Sequence, residues 1–471
     1  MSRYLFVIIT ISFLLKAELY SQSQQFSVKP ASFSSRIYDE FSPVFYQGGI
    51  VFCSNQSDNS LVSYSDGQNK LFKIFYVANI KNTGWKNPKL LAKEITTGFN
   101  DGPSTFNGDG SLMYFSRNNS IENSLRNISD TSNKLGIYSA ELKNGIWTDI
   151  KPFTFNNPLY FFCTPALSAD EKRLYFSSDM PGGRGGMDLY YCDRQYNDWG
   201  QPVNLGPVIN TPENESFPFA GQYNKLFFAS DGHNGLGGKD LYYTQEINGE
   251  WIAPVHLDSA INSKADDFGL VTDSTFQNGY FSTNRRETDD IFSFSSPPAE
   301  FATCDTVKEN NYCFTFYDES YQFSDTVPVI YKWDFGKDII RIGKEVKHCF
   351  PGPGGYLVML SIFDELTGDT IANQVRYKVD LENINQAYIK STNFGNVGKP
   401  LAFEGITKDL KDLRIVEYFW DFGDGFKSGG TLMNTTFKKK GEYMVKLGLI
   451  AGKDSSGVNP KICVMKKLII K

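Results

Sequence analysis

The sequence predicts an all-β chain: a five-bladed β-propeller, with six blades as the alternative, followed by two immunoglobulin-like β-sandwiches. Three observations predict it. Aromatic residues make up 15% of the 471 residues, glycine is frequent, and no Ala/Leu/Glu/Lys-rich helical run occurs. A unit built around "LYFSSD…GGxDLY" recurs through the first 300 or so residues, and a different unit then recurs at an offset of 87.

The first repeat is clearest in "SDMPGGRGGMDLYY" (178–191) and "SDGHNGLGGKDLYY" (230–243), which lie 52 residues apart. A short apolar strand precedes each, "RLYFS" (173–177) and "KLFFA" (225–229). A Trp-containing turn follows each, "NDWGQPVNL" (197–205) and "NGEWIAPVHL" (248–257). "GGIVFCSN" (48–55) and "SLMYFSRN" (111–118) extend the strand pattern toward the N-terminus. Trp85, Trp147, Trp199 and Trp251 recur at intervals of 62, 52 and 52. Each unit therefore reads as four short strands, the pattern of a propeller blade, which buries both faces only by stacking on its neighbours. Five units start near Phe41, Gly102, Cys163, Phe217 and Phe268. The fifth runs from "DDIFSF" (289–294) into "SSPP" and lacks a Trp-Pro strand. The orphan strand "FSVKPASF" (26–33) is expected to complete it and close the ring.

Beyond "SSPP" (295–298), "YKWDFGKD" (331–338) returns as "YFWDFGDG" (418–425), and "PGPGGYLVMLSIFD" (351–364) as "KKKGEYMVKLGLIA" (438–451). Units of this length with alternating strands fit a sandwich. The expected divisions are 1–21 as a signal peptide, 22–298 as propeller, and 299–384 and 385–471 as the sandwiches.

The second repeat resembles the PKD domain, with W-D-F-G-D-G followed by an aromatic and P-G-x-Y-x-V-x-L. Trp420, Asp421, Phe422, Gly423, Asp424, Gly425, Gly441, Tyr443, Val445 and Leu447 match in the second copy. The first copy keeps Trp333, Asp334, Phe335, Gly336, Pro353 and Gly354, but "KDII" replaces its second Asp-Gly. The propeller units resemble the TolB-like, WD-type repeats of exported bacterial proteins. The combination is similar to Gram-negative envelope proteins in which propeller and PKD domains precede an OmpA-like domain, and which occur alongside type IX secretion and gliding machinery. "MKKLIIK" (465–471) reads as the closing sandwich strand, so no OmpA-like domain is expected here and peptidoglycan anchoring is not carried over.

Arg3 followed by the apolar run Leu5–Leu15 reads as a signal peptide, too short to span a bilayer. The mature chain is expected in the periplasm, on the outer membrane or at the cell surface, with no transmembrane segment. A net charge of −6 without a basic block excludes nucleic acid as a partner. Seven cysteines in an exported chain permit disulfides, and one is expected among Cys304, Cys313 and Cys349.

Catalytic chemistry has little support. The glycine-rich loops lack the Lys-Ser/Thr and the helix of a phosphate loop. They read as hairpins in which glycine permits positive φ and Asp188 or Asp240 caps loop N–H groups. No cofactor is expected, a Ca²⁺ ion at these loops being the alternative. His233, His256 and His348 stand in no catalytic motif. Glu40, Asp101, Glu215 and Asp267 precede the first strands of four units, with Phe162 in the third, and are expected either to ring the propeller mouth or to cap local turns. The expected function is a non-enzymatic envelope or surface scaffold that binds other envelope proteins. A carbohydrate-binding surface protein and a propeller-based glycoside hydrolase are the alternatives.

Overall fold

The computed structural model describes residues 26–56, 65–66, 69–80, 84–119, 134–196, 198–247, 249–301, 303–306, 312–318, 328–381, 386–408, 410, 413–452 and 459–471. The expected signal peptide lies outside the described residues. The described residues are all β, and they hold no helix long and apolar enough to cross a membrane.

Five antiparallel sheets follow one another along the first part of the chain. After β1 (Ser27–Pro30), the first sheet holds β2 (Glu40–Tyr46), β3 (Gly49–Ser54) and β4 (Lys73–Ile80). The second holds β5 (Asp101–Phe106), β6 (Leu112–Asn118), β7 (Leu135–Lys143) and β8 (Ile146–Pro152). The third holds β9 (Phe162–Leu167), β10 (Arg173–Ser178) and β11 (Asp188–Gln195). The fourth holds β12 (Glu215–Ala220), β13 (Lys225–Ser230) and β14 (Asp240–Ile247), and the fifth β15 (Asp267–Thr272), β16 (Asn278–Thr283) and β17 (Asp290–Ser295). In the first, third and fourth sheets the outer strand is split into two short pieces, both paired with the third strand. In the fifth, β1 takes that place: Ser27 to Pro30 pair antiparallel with Ser295 to Phe292.

The first strands β2, β5, β9, β12 and β15 contact one another in a closed circuit, because β15 also contacts β2. A separate apolar cluster fills each gap between consecutive sheets. Val51 and Ile74 meet Met113 and Phe115 between the first and second. Leu189 meets Phe228 between the third and fourth, and Ile291 meets Ile50 and Phe52 between the fifth and first. Each of the five first strands carries a register shift. A left-handed residue sits at each shift: Ser42, Gly102, Thr164, Phe217 or Gly269. Pro43, Pro103, Pro165 and Pro218 follow it in four of them, and proline is tolerated because a first strand is an edge with no N–H owed to a further strand.

The two sandwiches come next. The first pairs a sheet of β20 (Val329–Asp334), β21 (Ile340–Ile342), β23 (Gly354–Asp364) and β24 (Thr370–Leu381) with a two-stranded sheet of β19 (Cys313–Tyr317) and β22 (Glu345–Cys349). The second packs β25 (Gln386–Lys390), β27 (Pro400–Lys408) and β30 (Leu432–Thr436) against a larger sheet. That sheet contains β26 (Phe394–Gly395), β28 (Ile415–Asp421), β29 (Lys427–Gly429), β31 (Gly441–Ala451) and β32 (Lys461–Ile470). Trp333 and Trp420 are buried at the two centres, each 1% exposed. Trp333 Nε1 donates to Gly343 O and Trp420 Nε1 to Gly430 O, positions related by the offset of 87.

The chain between the fifth sheet and the first sandwich makes contact with the second sandwich. β18 (Asp305–Thr306) lies parallel to β32, with Asp305 opposite Val464 and Thr306 opposite Met465. Phe301 packs 4.6 Å from the ring of Phe426, and Cys304 is bonded to Cys463. This segment therefore belongs by contact to the second sandwich. The chain touches the second sandwich, leaves to build the first, and returns. Cys313 and Cys349 form the other disulfide, which lies within the first sandwich. Of the three cysteines expected to hold one bond, Cys304 takes a partner outside that group, because β18 runs beside β32.

Candidate functional site

The four acidic residues singled out in the sequence start β2, β5, β12 and β15. None of them is open to solvent: Glu40, Asp101, Glu215 and Asp267 are each at most 1% exposed. A hydroxyl residue four to six positions upstream engages each one. Thr211 N and Oγ1 donate to Glu215 at 2.8 and 2.7 Å. Ser263 N and Oγ donate to Asp267 at 2.6 and 2.8 Å, and Thr97 N donates to Asp101 at 2.7 Å. Ser34 Oγ and Ser35 N donate to Glu40, each at 2.7 Å.

Arg117 Nε also donates to Asp101 at 2.8 Å, and Arg285 Nη2 to Asp267 at 2.6 Å. Glu215 receives Ser230 Oγ instead, at 2.7 Å. Burial pushes the Glu40 carboxyl up to about 7, against the opposing bonds from Ser35 and Ser34, and burial raises Glu215 as well. All four carboxylates are thus bonded to their own turns, the capping alternative of the two expected, and Phe162 at the third position packs in the apolar cluster there.

A second belt of bonds runs beside it. The N–H of Asp39, Asn100, Phe161, Asn214 and Asp266 donates to the side-chain oxygen of Asn55, Asn118, Asp179, Asp231 and Asn284 respectively, at 2.6–3.0 Å. Four of those residues then tie the sheet behind. Asn100 Oδ1 accepts from Phe72 N, Asn214 Oδ1 from Met187 N, Asp266 Oδ1 from Lys239 N and Asp39 Oδ1 from Asp289 N. The last of these joins the fifth sheet to the first.

The glycine-rich loops are hairpins between the second and third strands. Asp188 accepts Arg184 N and Gly185 N, and Asp240 accepts Leu236 N and Gly237 N. Their oxygens face N–H donors, which is the wrong environment for a Ca²⁺ ion. Among the described residues no group of three or more His, Cys, Asp or Glu is placed to hold a metal. The glycines serve a different purpose from the one expected. In the two loops only Gly182 has positive φ. A Cβ on Gly185 would sit 2.0 Å from Glu213 O, and one on Gly237 2.1 Å from Ala265 O. The glycines let each loop lie against the next sheet's connection.

Two concave features stand out among the described residues. The five first strands enclose a cavity of about 160 Å³ lined by Ser42–Phe45 and its counterparts in the other sheets. A cleft of about 350 Å³ lies on the second sandwich, where Tyr223 of the fourth sheet faces Trp420, Phe422, Phe437 and Tyr443. That cleft borders the junction between the two bodies, which sequence reasoning missed. Tyr243 Oη donates to Glu417 Oε1 at 3.0 Å, Lys225 Nζ donates to Ser428 Oγ at 3.4 Å, and Gly430 lies against the Tyr223 side chain. Lys225 is 5% exposed, and burial lowers its pKa. Tyr223 itself holds a left-handed backbone, φ +60°, uncommon for a bulky residue.

Comparison with known proteins agrees with the two sandwich cores. Models of the PKD domain match residues 299–375 and residues 386–462. The chain carries two PKD domains. A collagenase of Clostridium perfringens, ColA, is 33% identical over 102 residues, 22% of this chain and 9% of that protein, so the chain spans only a small part of the relative it matches. Among solved structures, hydrazine synthase of Kuenenia stuttgartiensis is 12% identical with a TM-score of 0.27, covering 52% of this chain and 61% of that one. The Bacteroides ovatus xyloglucan-locus protein GH43B is 9% identical with a TM-score of 0.25, covering 91% and 82%. Likenesses at this level bear on neither fold nor function here.

Proposed function

We propose that this chain is an exported, non-enzymatic scaffold of the cell envelope or cell surface that binds other proteins. In this reading the five sheets are the blades of a five-bladed, TolB-like propeller closed by β1. The propeller ends near residue 298, and the second PKD domain includes the returning segment 301–306. The observation that carries the reading is the fixed junction. The second PKD domain is seated on the fourth sheet through Tyr243–Glu417 and the buried Lys225, which joins the two into one platform. The first PKD domain is inserted between two points of that platform. PKD domains are typical of extracellular and surface proteins, and a joined platform with an inserted arm suits presentation and docking.

The disposition of the acidic residues supports a non-enzymatic role. A carboxylate acting on a glycoside must face the substrate, whereas Glu40, Asp101, Glu215 and Asp267 face their own turns. The test is chemical cross-linking in intact cells followed by purification of the full chain. Recurrent cross-links from the propeller or PKD domains to defined envelope proteins are expected. Turnover of glycosides by the purified chain would overturn the reading.

A further inference from the structure

The geometry points to the cleft between Tyr223 and the second PKD domain as a binding site for an extended polypeptide strand that inserts one bulky apolar side chain. This rests on the protein-binding reading above and names its site. The two copies differ at this seam. In the first, His348 fills the equivalent seam, its ring stacked 4.0 Å from Phe335 and 7% exposed. The offset of 87 places Thr435 at that position in the second copy, and this small residue leaves the seam open beside Phe422. At about 350 Å³ it reaches the size range of ligand pockets, and it sits at a domain junction where such pockets concentrate.

The walls fit a strand. β29 and β30 are the last strands of their two sheets. Gly405 N donates to Thr431 O, so the bonds to β27 fall at Thr431, Met433 and Thr435. The backbone groups of Leu432, Asn434 and Thr436 therefore point outward, and all three residues are exposed. They offer a ladder to an incoming strand. The floor suits an inserted side chain. Trp420 and Phe437 are 1% and 6% exposed, sunk below the half-buried rings of Tyr223, Phe422 and Tyr443. Asp424 and Lys427 stand exposed at the rim with both signs of charge. Tyr223 extends the propeller–PKD junction to one end of the cleft, so the site is continuous with an existing interface.

The probe is a phage-displayed library of random linear peptides selected on the full chain. The strongest peptide is then synthesised and titrated by calorimetry and tryptophan fluorescence. Selected peptides should alternate about one bulky apolar residue with polar ones. Thr435→His, which copies the filled seam of the first domain, should weaken binding roughly tenfold or more. Asn434→Pro removes one outward N–H from an edge strand and should weaken it severalfold. Both variants should keep the parent melting temperature. Peptides that bind both variants as tightly as the parent would overturn the cleft while leaving the scaffold reading intact. Oligosaccharide binding that Thr435→His abolishes, with no peptide selected, would overturn the peptide assignment. Failure of peptides together with failure of envelope cross-links would remove both readings.

Discussion

The two PKD domains are copies of one plan that are stabilised differently. Both bury a Trp whose indole N–H meets the carbonyl ten residues on, and both tie a Tyr hydroxyl to a backbone oxygen, Gly352 or Lys439. They differ at the edge of the smaller sheet. The first pairs Cys313 with Cys349 where the second has Pro400 opposite Thr436. It also fills its seam with His348, and among the described residues it faces its larger sheet with a sheet of two strands. The second has three strands against a larger sheet and a seat on the fourth sheet, and its disulfide, Cys304–Cys463, ties the returning segment to the closing strand and leaves the edge of its smaller sheet unclasped. An isolated domain with a small core needs a covalent clasp or a filled seam. One that shares an interface can leave a seam open.

The largest expected effect tests the shared plan. Trp333→Ala and Trp420→Ala should each cost about 3–5 kcal/mol in denaturant unfolding. Limited proteolysis should show only the first domain released by Trp333→Ala, while Trp420→Ala also exposes the fourth sheet. Equal exposure of the fourth sheet by both would break the comparison. Next, Cys313→Ser with Cys349→Ser opens a loop of sequence separation 36. It should lower the first domain's stability by roughly 3–4 kcal/mol on the chain-entropy estimate, read as a separate early transition in calorimetry, with the second domain's transition unmoved.

A smaller effect isolates the seat. Tyr243→Phe removes the hydroxyl on Glu417 and should cost about 1–2 kcal/mol. Its signature is a second-domain transition that separates from that of the sheets. The smallest effect is a pH dependence of one copy only. Burial, helped by Arg341, holds the His348 pKa below its ordinary 6.5. The unfolded chain then binds the proton more readily, so the first domain's stability is full above that ordinary value and lost as pH falls through the lowered one. His348→Thr should flatten this acid limb in melting experiments between about pH 7 and 5. A second domain that shows the same limb would show that His348 is not its source.

Much of this architecture was legible in the chain. The Trp spacing and the "LYFSSD…DLYY" units marked the five sheets, and the orphan strand at residue 28 does complete the fifth. The offset of 87 marked both PKD domains. The fate of the acidic residues could have been read further. Thr97, Thr211 and Ser263 each stand four residues before a carboxylate, the spacing of a turn whose hydroxyl and N–H meet one oxygen pair. The pairing of Cys304 with Cys463 was not readable, because the repeat assigns residues 299–306 to the unit that follows them. Nor was the seat on the fourth sheet, since Lys225, Tyr243 and Glu417 are ordinary residues until folding brings them together.

The returning segment has a mechanical consequence. A partner that pulls on the first PKD domain loads two roots. At one, tension reaches β25, whose five residues pair along their length with β27. At the other, β18 offers only a two-residue ladder, and behind it stands the covalent bond from Cys304 to Cys463. Force entering there passes through sulfur into the long closing strand of the second domain, and from its sandwich into the fourth sheet on which it sits. The arm can be tugged without peeling the chain from its base, so long as that bond stays oxidised.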